Sequence, residues 1–281
     1  MATDVEWLEE NSLRDPVAVL AFEGWNDASD AATRVLYYLM EHHDVTPLAR
    51  LDLEDYVNYQ ESRPLVTLEG RLRSIRWPTV GFFGLAIPDH SHDLVLILGE
   101  EPHLRWRRFC IDVASVLRQL GVHQAVALGA FVGEIAHTLP VPIFGSSSDP
   151  NFADRFGLHA SAYEGPTGIT GVITKALEDE GIEAASMWAG IPHYLAANPS
   201  PTGTRALLYA LGDVIGQRFD VTELDEEVAD YEARVQEAIA GSSELVGYVR
   251  GLEEESEKRA ISLTGSRRLV EEIERFLRNP N

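Results

Sequence analysis

Four largely apolar runs punctuate the chain, each closing on a polar bend: Val17–Phe22, Leu94–Leu98, Ala125–Phe131 and Glu183–Ala189. Runs of this kind suit strands buried on both faces of a parallel sheet. After the first, Glu23-Gly24-Trp25 turns the chain, and Asn26 is placed to cap a helix by accepting from its free N–H groups. Asp27 and Asp30 then fall in or near the first turn, where the helix dipole favours negative charge. Val35, Leu36 and Leu39 supply the face that lies on the sheet. After the second run, Gly99-Glu100-Glu101-Pro102 leads to a helix that Pro102 is suited to start. Phe109, Val113, Val116 and Leu120 are that helix's buried stripe, with Cys110 beside it as an inert packing thiol.

Between the first two runs, Leu48–Tyr56, Leu65–Leu72 and Thr79–Leu85 read as strands, with a loop over 55–64. Arg71, Arg73 and Arg76 alternate with Leu72, Ser74 and Ile75, as in a half-exposed hairpin; its arginines could form a patch for an acidic ligand, although a solvated face is the expected reading. Farther on, Gly165-Pro166-Thr167-Gly168-Ile169-Thr170-Gly171 opens a helix to about Glu180. Ser200-Pro201 caps and starts another, to about Arg218.

From Asp220 the pattern changes. Proline is absent until Pro280, and 16 acidic residues face 8 basic ones over 220–281. Leu224, Val228, Tyr231, Val235 and Ile239 mark one helical stripe, and Gly241-Ser242-Ser243 breaks it. A second helix runs from Glu244 to about Leu263, and Leu269, Ile273 and Phe276 indicate a third. The expected architecture is an α/β domain over 1–219, with a largely parallel or mixed central sheet flanked by helices. An acidic helical arm over 220–281 packs back on it or on a neighbouring subunit.

With 281 residues the chain is long enough for a full core, and its 45% apolar and 24% charged residues are ordinary for a globular protein. A formal charge of −22 is not ordinary. It argues against nucleic acid and against membrane surfaces as partners, because both would repel it. One cysteine, no signal-peptide pattern and no membrane-length apolar run point to the cytoplasm.

Complete catalytic constellations are missing. No G-x-S-x-G elbow occurs, and Ser146, Ser147 and Ser148 read as turn residues. His90, His92 and Asp93 read as a solvated loop without zinc-pair spacing. Glu134 and His137 would share a face if helical, but Pro140 and Pro142 oppose a helix. The glycines at 165–171 could admit a phosphate to a helix N-terminus, although tight packing is the expected use, since neither dinucleotide nor P-loop spacing is present. What stands out is convergence. Glu23, Gly24, Asn26 and Asp27 follow the first strand, Glu100 and Glu101 the second, Glu134 the third, and His193 and Tyr194 the fourth. If the strands are parallel neighbours, these groups form one rim, with Gly165 and Gly168 joining it as candidate binding positions. Such a rim suits a metal-dependent hydrolase or phosphorylase, a protein-docking edge, or helix capping alone.

The residues also carry a resemblance. Ala-Phe-Glu-Gly-Trp-Asn-Asp-Ala at 21–28 and Leu94–Trp106 resemble the first two blocks of the proteasome assembly chaperone family (type 2), in its actinobacterial branch. Ala136–Pro142, Tyr163–Gly168 and Gly190–Tyr194 resemble its later blocks, in the expected order. The resemblance implies a phosphorylase/hydrolase-like α/β fold, homo-oligomers, and kinship with proteins that help assemble proteasome α-subunit rings. It implies no cofactor and no catalytic or metal-binding residue. The chain ends Arg278-Asn279-Pro280-Asn281, so the hydrophobic–tyrosine–any-residue tail by which some archaeal relatives dock on the proteasome is not expected. The leading expectation is a non-enzymatic assembly chaperone or scaffold that associates with itself and holds a protein client such as proteasome subunits. The alternative is a hydrolase- or phosphorylase-like enzyme with its site at the rim.

Overall fold

In the computed structural model, residues 5–258 apart from 11, 89 and 162 are described. The third arm helix expected around 269–276 lies outside them. Eleven strands and seven helices follow one another as β1 (Val5–Trp7), β2 (Val17–Glu23), α1 (Thr33–His42), β3 (Val45–Asp52), β4 (Leu65–Glu69), β5 (Leu72–Arg76), β6 (Thr79–Leu85), β7 (Leu94–Glu100), α2 (Trp106–Gln119), β8 (Gln124–Gly133), β9 (Ile143–Ser147), α3 (Phe152–Arg155), β10 (His159–Ala160), α4 (Ile169–Asp179), β11 (Glu183–Pro192), α5 (Pro201–Ile215), α6 (Thr222–Ala240) and α7 over 243–258.

Nine strands form one mixed sheet in the order β1-β3-β6-β7-β2-β8-β11-β9-β10. Its centre, β7-β2-β8-β11, is parallel throughout and is made of the four apolar runs. Outward from β7 the pairs are antiparallel, and β9 runs antiparallel to β11. Helices cover both faces, which is why the central strands are apolar on both sides. Val17, Val19 and Ala21 point to the layer of α1 and α5, while Ala18, Leu20 and Phe22 meet α2 and α4.

Several local expectations shift. β3 ends at Asp52, and Tyr56 turns inward instead, its hydroxyl donating to the buried Asp112 carboxylate. The helix after Pro102 begins only at Trp106, because Arg105 takes a left-handed conformation (φ 55°) just before it. Pro102 still serves that helix through its carbonyl, which accepts from the Trp106 indole N–H. α5 stops at Ile215, before Arg218, because Gly216 (φ 71°) closes it in the left-handed form that glycine adopts freely. Ser146 and Ser147 lie on β9 and are not turn residues. Asp93 is buried, not solvated: it accepts from the Arg14 guanidinium at 3.1 Å and from the Arg14 and Ile87 amides at 2.6 and 2.9 Å.

The C-terminal helices pack on the body. Leu224 enters the core of the α1 and α5 layer, and Arg34 donates twice to Glu227, at 2.7 and 2.8 Å. Val235 and Ile239 of α6 join Val249 and Leu252 of α7 around Ala136. Of the expected stripe only Tyr231 stays half-buried. The hairpin of β4 and β5 is separate from the main sheet, and β5 is exposed along its whole length.

Candidate functional site

The four apolar strands are parallel neighbours, so their carboxyl ends do share one edge, and Glu23 sits in register with Glu100. The groups collected there are not one constellation. They divide into a sealed knot, an open cleft and a contact with the arm.

The knot is built on Asn26, Asp27, Glu101 and Gly168. Asn26 is fully buried and does not cap α1. Its carbonyl accepts from the Ala130 amide at 2.7 Å, extending the β2–β8 pairing past the strand. Its side-chain Nδ2 donates to Glu101 Oε1 at 2.6 Å. The cap of α1 comes from Asp27, whose carboxylate accepts from the amides of Ala32 at 2.6 Å and Thr33 at 3.3 Å and from the Thr33 hydroxyl. The exchange arises because the chain makes a short turn at 28–30, with Ser29 and Asp30 both left-handed, so the helix starts later than the polar pattern suggests. Burial pushes Asp27 up to about 6, against the pull of the hydrogen bonds from Thr33 and Ala32.

At α4, the first amide of the helix is satisfied from within. Glu101 Oε1 accepts from the Ile169 amide at 2.9 Å, so a carboxylate of the chain itself occupies the place a phosphate would take. Gly168 caps this helix because nothing larger fits: a Cβ there would lie 2.0 Å from Asn26 Oδ1. Tight packing is thus its use. Gly165 lies outside the knot, exposed in the preceding loop. Glu101, weighed beside Glu100 in the sequence, is the residue that joins three elements; Glu100 is half-buried and takes no part in the knot.

Beside the knot lies an open cleft of about 630 Å³ lined by Glu23, Gly24, Arg34, Tyr37 and Glu41, among others. Tyr37 donates to Glu23 at 3.1 Å, and burial together with the Glu23 carboxylate pushes its hydroxyl up to about 12. Gly24 makes the turn into this cleft with φ 106°, a region glycine enters without strain.

The arm contact holds His193, Tyr194 and His137. Glu134 and His137 are not helical, and Glu134 is exposed in the turn after β8, so no acid–base pair forms. Instead the His137 amide donates to the Tyr194 hydroxyl oxygen at 2.9 Å, and that hydroxyl lies 2.9 Å from His137 Nδ1. Tyr194 and His193 meet the ring of Tyr248 on α7 edge to face, with centroids 6.0 and 5.6 Å apart. Burial lowers the His137 imidazole, opposed by Glu253 and Glu232. The cavity here, lined by Ile135, His137, Gly190 and Tyr231, measures about 20 Å³, room for one water.

Chemically, two of the rim's carboxylates, Asp27 and Glu101, are committed to backbone amides, whereas Glu23 accepts from Tyr37 and Glu134 is exposed. Among the described residues no group of three metal-ligating side chains gathers, and Cys110 is buried with its thiol pushed up to about 12. No helix among them is long and apolar enough to cross a membrane. The same edge also leaves large apolar and aromatic side chains exposed: Trp25 after β2, Val132 near the end of β8 and Tyr163 before α4. Sequence reasoning passed these over because their spacing is irregular, though an exposed tryptophan in a bend of known position was a usable signal.

The PAC2 family model matches residues 21–239. The chain belongs to the PAC2 family. A PAC2 family protein from Streptomyces avermitilis has the same fold with a TM-score of 0.78 at 42% identity, over 84% of this chain and 100% of that one. A Mycobacterium tuberculosis protein titled a proteasome-assembly chaperone homologue, Rv2125, gives 0.77 at 38% identity, over 83% and 99%. An archaeal proteasome activator from Pyrococcus furiosus shares the fold alone, with a TM-score of 0.66 at 14% identity over 83% and 97%. No curated relative matches the sequence. Members of the PAC2 family thus share the mixed sheet and the covering helices described above. The family match reaches Ile239, past the division at 219 expected from composition and through nearly all of α6.

Proposed function

We propose that this protein is a non-enzymatic assembly chaperone or scaffold of the actinobacterial PAC2 branch, which associates with itself in the cytoplasm and holds a protein client such as proteasome subunits. The observation that carries the reading is the state of the rim. Its buried or half-buried carboxylates Asp27 and Glu101 are used on the chain's own backbone amides, whereas Trp25, Val132 and Tyr163 stand exposed around it. Exposed aromatic and apolar side chains beside a polar border are the composition of a protein-docking edge. The 38% identity to a protein titled a proteasome-assembly chaperone homologue supports the choice of client. The enzyme alternative draws less support, because Asn26 and Asp27 face separate partners and, like Glu134, do not line the cleft that holds Glu23.

The test is co-elution of the full chain with purified proteasome α-type subunits from the same source. A complex is expected, with its dissociation constant raised about tenfold or more by Trp25→Ala. Separate elution of the two proteins, with ring assembly proceeding at the same rate with or without the chain, would overturn the reading.

A further inference from the structure

The hairpin of β4 and β5 is the most exposed apolar surface of the described chain. Two-stranded hairpins are marginally stable in water alone, and this one has no third strand beside it. Its pairing, Val66 with Ile75 and Leu68 with Arg73, puts these four side chains on one face. The opposite face carries Thr67, Ser74 and Arg76, which line a cleft of about 630 Å³ together with Arg50 and Asp52 of β3, and Ile75 reaches its edge. Val66, Leu68 and Arg73 of the first face take no part in that cleft and look away from the body. Val66, Leu68 and Ile75 on it are 63, 65 and 56% exposed.

Its charge is as unusual as its exposure. In a chain of formal charge −22, residues 63–76 carry four arginines and one glutamate. A basic apolar face calls for an acidic, shallow partner, and repulsion between arginines opposes pairing of one hairpin with another. α6 supplies such a surface. Opposite its buried stripe, Glu226, Ala229, Asp230, Ala233 and Glu237 recur at helical spacing, and all are exposed. The two alanines leave room for Val66, Leu68 and Ile75, and the carboxylates flank them. Glu226, Asp230 and Glu237 make no ion pair among the described residues.

We propose that the outward face of the β4–β5 hairpin docks on the outer face of α6 in a second copy of this chain. The contact is heterologous, so it closes either by reciprocal exchange between two copies or around a ring. It rests on the self-association proposed above and supplies its surface. Arg73 and Arg71 then meet Glu226 and Asp230 of the neighbour, and the association weakens with salt.

Sedimentation of the full chain at several concentrations and ionic strengths is the test. Wild type is expected above the monomer mass of 31.1 kDa, and Leu68→Asp and Arg71→Glu/Arg73→Glu are expected near it. Glu226→Arg/Asp230→Arg should also dissociate, and mixing it with the Arg71→Glu/Arg73→Glu chain should restore association. A wild type that stays at monomer mass throughout overturns self-association itself. A wild-type oligomer matched by all the variants overturns only the hairpin. Should a variant fold poorly, a photo-crosslinking residue at position 68 in a mixture of isotopically light and heavy chains decides the matter. Heavy–light crosslinks into 222–240 are expected, and crosslinks confined to other segments refute the proposal.

Discussion

Asn26 and Glu101, 75 positions apart, meet side chain to side chain at 2.6 Å, and the same glutamate oxygen accepts from the Ile169 amide at 2.9 Å. One carboxylate oxygen thereby ties the bend after β2, the bend after β7 and the first turn of α4. Charged acceptors make the stronger hydrogen bonds, and the α4 dipole adds to this one.

Glu101→Gln keeps an acceptor but loses the charge, so a cost of about 1 kcal/mol is expected. Glu101→Ala leaves the Asn26 amide and the Ile169 N–H without their partner in a dry setting and should cost roughly 3 kcal/mol. Urea unfolding of both variants measures the difference. Equal losses would show that the charge carries the whole effect.

Gly168→Ala should destabilise by roughly 2 kcal/mol, because its Cβ would fall 2.0 Å from Asn26 Oδ1 on a buried, braced side chain. The clash is specific to that pair. A double-mutant cycle with Asn26→Ala is therefore expected to give a combined loss well below the sum of the single losses.

Asp27 and Asp93 predict opposite pH slopes. Asp27 is raised to about 6 from an ordinary value of 3.8, so the folded state holds its proton more tightly than the unfolded chain. Its contribution is full below about pH 4 and is lost as pH rises to about 6, on the order of 3 kcal/mol in all. Asp27→Asn should flatten that fall. Burial pushes Asp93 up too, but the Arg14 side chain, the Arg14 and Ile87 amides and the guanidinium charge outweigh it and hold the carboxyl below its ordinary value. Its contribution is present above that value and fades in more acid solution, so the gap between wild type and Asp93→Asn should close on acidification. Unfolding curves of the three proteins between pH 3 and 8 read both slopes.

Tyr194→Phe removes the hydroxyl that serves the His137 amide and ring, at a cost of about 1 kcal/mol. The effect belongs to the arm, since Tyr194 also meets Tyr248. Amide exchange over 243–258 should speed up in this variant while the central strands are unchanged. Burial lowers His137, so its neutral form contributes stability above the ordinary histidine range that is lost as pH falls. Exchange over 243–258 in the wild type should quicken between pH 7.5 and 5.5 beyond the ordinary pH effect on exchange chemistry.

The fold's centre was legible because burial on both faces writes itself as unbroken apolar runs, and those four runs are β2, β7, β8 and β11. The edges were less so. β9 and β10 are short, β9 carries a glycine and two serines, and they are strands because β11 offers a ladder to β9 and β9 one to β10, a fact outside their own residues. At the rim, the polar character of 23–27 was readable, but the division of labour was not. Two left-handed residues at 29 and 30 gave the capping role to Asp27 instead of Asn26. Likewise Glu100 and Glu101 are indistinguishable by composition; successive residues leaving a strand point opposite ways, and only Glu101 meets α4.

The position of β2 at the middle of the sheet bears on how the chain emerges from the ribosome. Val17–Phe22 is made early, yet its two ladder partners lie at 94–100 and 124–133. Until both are synthesised, six uncharged, apolar residues wait with two bare edges, the kind of segment that pairs with another nascent chain. β7 and β8 thus do more than finish a sheet: their arrival closes both open edges of β2 and removes one route to misassembly with its own copies.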